Sequence, residues 1–486
     1  MSSDLAFKSA AALAADIQAK KIGCLELLEH YWARVGRHNG RLNAIIAFDI
    51  ERARKRAREA DAAIARGQSW GPLHGVPMTI KESYDVAGLP TTWGVPALKD
   101  NVPTTNAVVV DRLLAAGAVL FGKTNVPLLL GDWQTFNAIH GTTNNPWDLS
   151  LSPGGSSGGS AAALASGMTG LEAGSDIGAS IRNPAHYCGV YGHKPTHGIV
   201  PLRGQLYPGN VAPVDFFVGG PMARSSDDLA VALKIMAGPD VLEAPGWQLE
   251  LRAPTKHSLK EFRVAVMLDD AHAEVDRDVQ DRIQALADFL SKKGAHVSDT
   301  ARPDVDLGKA HENYVRLLRA ATSRTQTPEA FQRNLAAAQS LPADDKSYFA
   351  QMMRGNTIFH KDWLDADEAK HHMRHRWLAF FKDYDFLLCP AAASAALPHD
   401  HEGERYQRKI TVNGKRVPTT DQLFWAGISG GVNLPGTVAP IGLTPRGLPV
   451  GVQIVGAEFA DLSCIAFAAL LERDYYAFAP PPAYAT

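Results

Sequence analysis

Hydrophobic and polar positions fall into three textures along the chain. Residues 9 to 67 read as helices: 50–66 are dense in Ala, Arg and Glu, strong helix formers, and Gly67 stands as a stop. From about 70, Gly and Pro become frequent and short β-type runs appear at 76–80 and 118–121. A helix over 108–116 lies between those runs and ends at Gly117. Strands alternating with helices predict an α/β layered fold. The texture shifts again near 255. Residues 262–268 read as a strand, and Val279, Ile283, Leu286 and Leu290 mark one face of a helix closed by Gly294. Another buried strand is expected at 384–389. Residues 300–380 are helical and polar without an obvious place, and the Pro-rich end, 479–483, reads as a loose tail.

At 486 residues, the chain has a prior of about three domains or one large α/β domain. With 45% hydrophobic and 21% charged residues, a wholly disordered chain is excluded. The 49 basic and 51 acidic side chains leave a net charge of −2, which gives no reason to expect nucleic acid or an anionic membrane as partner. Arg52, Arg54, Lys55, Arg56 and Arg58 form a basic run, but Glu51, Glu59 and Asp61 interleave with it, so a solvated helix face is expected. Cys24, Cys188, Cys389 and Cys464 are far apart and form neither a zinc motif nor a disulfide framework. No run approaches the roughly 18 apolar residues of a spanning helix. The short alanine-rich stretch at 9–15 reads as an ordinary helix, and the default expectation is a cytoplasmic protein.

Three motifs tempt and fail on context. Gly117-Ala-Val-Leu-Phe-Gly-Lys-Thr124 fits the P-loop pattern, yet a helix precedes it and its middle is strand-like; helix stop plus buried strand is expected. Gly155-Ser-Ser-Gly-Gly159 fits a nucleophile elbow but lacks the strand that must run into the serine. His371 and His375 have helical spacing, without the rest of a zinc motif.

Three other segments combine. In His74-Gly-Val-Pro-Met-Thr-Ile-Lys-Glu-Ser-Tyr-Asp-Val86, Lys81 ends an apolar strand, where burial would lower its pKa and leave a neutral amine able to act as a base. Ser152-Pro-Gly-Gly-Ser-Ser-Gly-Gly-Ser160 leads into an alanine-rich helix, which makes it more than a linker. In Gly174-Ser-Asp-Ile-Gly-Ala-Ser-Ile-Arg-Asn-Pro-Ala-His186, a serine sits in a tight turn whose backbone N–H groups can face one oxyanion.

Together these segments resemble the amidase signature family. The match runs from 74 to about 221 and resumes at Gly431-Val-Asn-Leu-Pro-Gly436 and Gly447-Leu-Pro-Val-Gly-Val-Gln-Ile-Val-Gly456. The resemblance implies a Lys–cis-Ser–Ser triad with Lys81 as base, Ser156 as bridge and Ser180 as nucleophile. The 24-residue spacing to Ser180 selects Ser156 over Ser157. It further implies an oxyanion hole from Ile177, Gly178, Ala179 and Ser180, an acyl pocket lined by Leu130, Gly131 and Asp132 with Trp133 nearby, and Asp176 and Arg182 as braces of the loop. Phe216, Phe217, Phe424 and Trp425 are offered as aromatic walls or as core. Where Ala179 stands the family usually has Gly, so its Cβ must be tolerated by a negative φ or by absorbed strain.

The implied fold is a single large α/β/α layered domain with a mixed central sheet. Residues 1–70 form an N-terminal helical region and 71–486 the domain proper, with its motif core at 74–221 and a C-terminal subregion from 255. The implied function is a serine amidohydrolase that cleaves a neutral, partly apolar amide, anilide or carbamate through an acyl-enzyme. The A subunit of a glutamyl-tRNA amidotransferase is the alternative. No cofactor or metal is expected. The expected partner is a small-molecule amide or carbamate, without nucleic acid or membrane, and a homodimer is left open.

Overall fold

In a computed structural model, which describes residues 4–485, the strands follow one another as β1 (Ile45–Phe48), β2 (Pro77–Lys81), β3 (Val119–Thr124), β4 (Phe136–Asn137), β5 (Gly141–Thr142), β6 (Glu172–Asp176), β7 (Tyr191–Lys194) and β8 (Val218–Ala223). Then come β9 (Arg263–Val266), β10 (His296–Ser298), β11 (Phe386–Pro390), β12 (Lys409–Val412), β13 (Lys415–Pro418), β14 (Gly436–Leu443) and β15 (Pro449–Val455). Eight of these form one mixed sheet in the order β10-β9-β11-β15-β14-β7-β8-β6. The pairs β10/β9 and β9/β11 are parallel; the rest are antiparallel. Helices Arg182–Cys188, Arg277–Lys292 and Asp461–Asp474 pack on this sheet. The architecture is α/β with a mixed central sheet, as expected.

The strand expected at 262–268 appears as β9, and Val279, Ile283, Leu286 and Leu290 are all buried on the helix Arg277–Lys292. Because β9 hydrogen-bonds to β11 in the main sheet, the chain beyond 255 completes that sheet, apart from the separate two-stranded pair β12-β13. The tempting Gly117 segment is a helix stop, with Gly117 at φ 101°, followed by buried β3. His371 and His375 lie on the exposed side of helix His360–Phe380. Arg54 of the basic run pairs with Glu29 and Glu51. All four cysteines are buried and unpaired.

Two expectations need correction. The N-terminal region is not helical throughout: β1 pairs antiparallel with β3 and ties it to the strands below. Its Ile45 is buried, so four residues of apolar character were enough for a strand once a partner edge was present. The C-terminal end is not loose either. Tyr484 is buried, and its carbonyl accepts a hydrogen bond from Arg34 at 2.8 Å. No helix among the described residues is long and apolar enough to cross a membrane.

A smaller sheet carries the first site segment. In the order β1-β3-β2, β2 runs parallel to β3 with Lys81 opposite Thr124. The helix Gly158–Ala165 packs between β2 and β6. Its small residues permit this: a Cβ on Gly159 would lie 2.7 Å from the Ala44 carbonyl oxygen and collide with the backbone of Asn125.

Candidate active site

Lys81 is the last residue of β2, a strand buried at every position, and is itself fully buried. Its Nζ lies 2.7 Å from Ser156 Oγ, 2.9 Å from Ser157 Oγ, 3.0 Å from Ser175 Oγ and 3.3 Å from the Ser175 carbonyl. Burial pushes the amine down to about 7, although Asp176, Glu172 and Glu82 pull the other way. A neutral amine has two N–H bonds and one lone pair. The carbonyl can only accept, so a neutral Lys81 can receive an O–H from one of the three hydroxyls.

Ser156 and Ser157 sit on the glycine-rich turn before the helix Gly158–Ala165, and the Gly155–Ser156 peptide is cis. Both serines reach Lys81; spacing alone distinguished them in the sequence. Ser180 lies on the turn between β6 and the helix Arg182–Cys188. Its carbonyl accepts from Ser157 N–H at 3.1 Å, which stitches the two turns together. Among the described residues the Ser180 hydroxyl has no hydrogen bond, so Lys81 and Ser156 are joined and no bond links Ser156 to Ser180. Ser180 is 6% exposed and opens onto a cavity of about 380 Å³.

The turn from 177 to 180 is held from outside. Tyr314 donates its hydroxyl to the Ile177 carbonyl and Trp133 its indole N–H to the Gly178 carbonyl, each at 2.7 Å. Asp176 accepts from the N–H of Ala179 at 2.9 Å and of Ile181 at 3.0 Å. Arg182 meets both oxygens of Asp176, at 2.9 and 3.0 Å, and also reaches Gln453 at 2.7 Å. This buried pair keeps the Asp176 carboxyl low despite its burial. Asp176 and Arg182 thus brace the loop. The N–H groups of Ile177, Gly178 and Ser180 have no acceptor among the described residues, whereas that of Ala179 is taken. Ala179 has φ 73°, the left-handed conformation its Cβ disfavours, and its methyl packs in a cluster with Trp133, Phe216 and Leu423.

Leu130, Gly131 and Asp132 all line the cavity. Asp132 is not an unpaired acid: Arg408 meets it at 2.6 Å. Of the four aromatics proposed, only Phe217 faces the cavity; Phe216, Phe424 and Trp425 pack elsewhere. Trp93, Leu128, Leu129 and Tyr207 were missed, as was the helix Leu307–Thr322, which contributes Leu318 and Arg319. Trp93, Leu129 and Leu130 also adopt positive φ, a signal no sequence pattern carries.

The family model described as Amidase matches residues 26–465. The chain belongs to the amidase signature family. An acylamidase from Rhodococcus erythropolis is 35% identical, covering 96% of each chain. An indoleacetamide hydrolase from Bradyrhizobium diazoefficiens is 33% identical over 96% of this chain and 86% of its own. An A subunit of glutamyl-tRNA(Gln) amidotransferase from Anaeromyxobacter sp. is 32% identical over 96% of each. The solved structure of a bacterial aryl acylamidase of the same family superposes with TM-score 0.81 at 25% identity, covering 99% of this chain and 98% of that one. This amidase is therefore a hydrolase acting on amide C–N bonds.

Proposed function

We propose that this amidase cleaves a non-peptide amide, anilide or carbamate through an acyl-enzyme on Ser180. The observation that carries this reading is Lys81: a buried amine with a pKa near 7, in contact with Ser156, below the cavity that Ser180 faces. Neutral Lys81 takes the proton of Ser156, Ser156 takes that of Ser180, and Ser180 Oγ attacks the carbonyl carbon. The negative charge that develops on the carbonyl oxygen meets N–H groups of the turn. Of the family set Ile177, Gly178, Ala179 and Ser180, this reading uses Ile177, Gly178 and Ser180, since Ala179 serves Asp176. One such donor is worth roughly 2.7–4 kcal/mol of barrier. The proton returns through Ser156 to the departing nitrogen, and water releases the acyl group. Leu130, Gly131 and Asp132 form the wall beside the acyl group, and the apolar residues around them suit aryl or alkyl substituents.

The relative that is an amidotransferase A subunit supports a second reading, in which the same acyl chemistry releases ammonia for transfer to tRNA-bound glutamate within a complex. The purified chain assayed alone on aryl amides separates the two. Turnover of the isolated chain, lowered about a thousandfold or more in Ser180→Ala, is expected; retained turnover in that variant removes the mechanism.

A further inference from the structure

The wall of the cavity combines two kinds of surface. Trp93, Leu130 and Phe217 make one part apolar, while Arg319, Arg324 and Arg405 bring three guanidinium groups to another. The only acid among the lining residues, Asp132, is engaged by Arg408. Among the described residues, none of the three arginines has a carboxylate partner. Arg405 donates to Tyr348 Oη at 3.1 Å and lies 5.4 Å from the Trp133 ring centre. Arg319 lies 5.5 Å from the Tyr348 ring centre, and its Nε is buried without an acceptor. Two cations therefore share one tyrosine. Burial lowers the pKa of Arg319, and the charge of Arg405 adds to that effect.

A cation turned toward a cavity without a counter-ion is costly, because desolvation is not offset by pairing. The guanidinium fork fits a planar carboxylate with two parallel hydrogen bonds. We propose that the substrate of this amidase carries a carboxylate, separated from the scissile amide by an apolar spacer and held by Arg319 and Arg405. This inference rests on the amidase reading above and narrows its substrate class; the expectation of a wholly neutral substrate gives way to it.

Ser180→Ala enzyme is titrated calorimetrically with two matched pairs. In the first, adipic acid monoanilide and its methyl ester place the charge on the acyl side. In the second, N-hexanoyl-4-aminobenzoate and its methyl ester place it on the amine side. In at least one pair the carboxylate is expected to bind roughly tenfold tighter or more, and Arg319→Gln or Arg405→Gln should remove most of that preference. Equal or weaker binding of the carboxylate in both pairs, binding of none of the four, or a preference unchanged in both arginine variants overturns the proposal. Release of aniline or 4-aminobenzoate by the unmodified enzyme tests the amidase reading separately. Carboxylate preference without hydrolysis sinks that reading alone, and hydrolysis without preference sinks the anion site alone.

Discussion

Three lysines of this chain are buried with lowered pKa values: Lys81 and Lys194 near 7 and Lys123 near 8. Burial alone therefore does not nominate a base. Among the described residues Lys194 hydrogen-bonds only to the Pro195 carbonyl, and Lys123 to the Pro90 carbonyl and Thr91 hydroxyl, whereas Lys81 meets three serine hydroxyls. Below about pH 7 the Lys81 amine is protonated and cannot accept a proton. Activity should thus be lost as pH falls through that value, by about tenfold per pH unit in kcat/KM, and level off above it. A profile flat from pH 5 to 9 would show that this amine is not the base. Ala179 poses a closer balance. Relieving its left-handed φ recovers about 1–2 kcal/mol, while deleting its packed methyl forfeits about 0.8. Ala179→Gly is expected to be neutral or stabilised by no more than about 1 kcal/mol in denaturant unfolding. Its kcat should stay within about tenfold of wild type, and a gain above about a hundredfold would reveal an oxyanion turn compromised in the native enzyme.

At the scale of elements, the site depends on how closely the helix Gly158–Ala165 approaches β2 and β3. Gly159 has no room for a methyl against the Asn125 and Ala44 backbones, and backbone cannot step aside as a flexible side chain can. Gly159→Ala should cost about 1–3 kcal/mol and lower kcat as well, because the helix carries Ser156 and Ser157 at its start. Unchanged stability and rate would mean that the turn is not positioned by this packing. The brace formed by Asp176 and Arg182 works on the same scale: it ties the end of β6 to β15 through Gln453, so the turn is fixed to the central sheet.

For the molecule as a whole, an N-terminal helix meets the C-terminal segment. Arg34, from the helix Cys24–Leu42, bonds to the carbonyls of Ser166, Gly167 and Tyr484. The C-terminal segment thus closes over the base of the helix that carries Ser156. Tyr484→Ala should lower unfolding stability by about 3 kcal/mol, as a large buried side chain is lost. A change under about 0.5 kcal/mol would mean that this end contributes no fixed packing.

Local chemistry singled out Lys81 at a strand end, the glycine-rich turn and the serine-bearing turn, because their meaning lies within a few residues; the choice of Ser156 and Ser180, and of Asp176 and Arg182 as braces, came from the resemblance to the family. Helix faces such as 279–290 were legible for the same reason, since their period is written along the chain. The strand at 45–48, the anchored C-terminus and the roles of Tyr314 and Trp133 were not, because each exists only through a partner more than 40 residues away. The same holds for the charged side of the cavity. Arg319 and Arg405 sit in unremarkable polar stretches, and only folding brings them beside one tyrosine, without a carboxylate partner among the described residues. The motifs are written along the chain, but the contact of Lys81 with Ser156, 75 residues away, and the lining of the cavity are both made by neighbours in space.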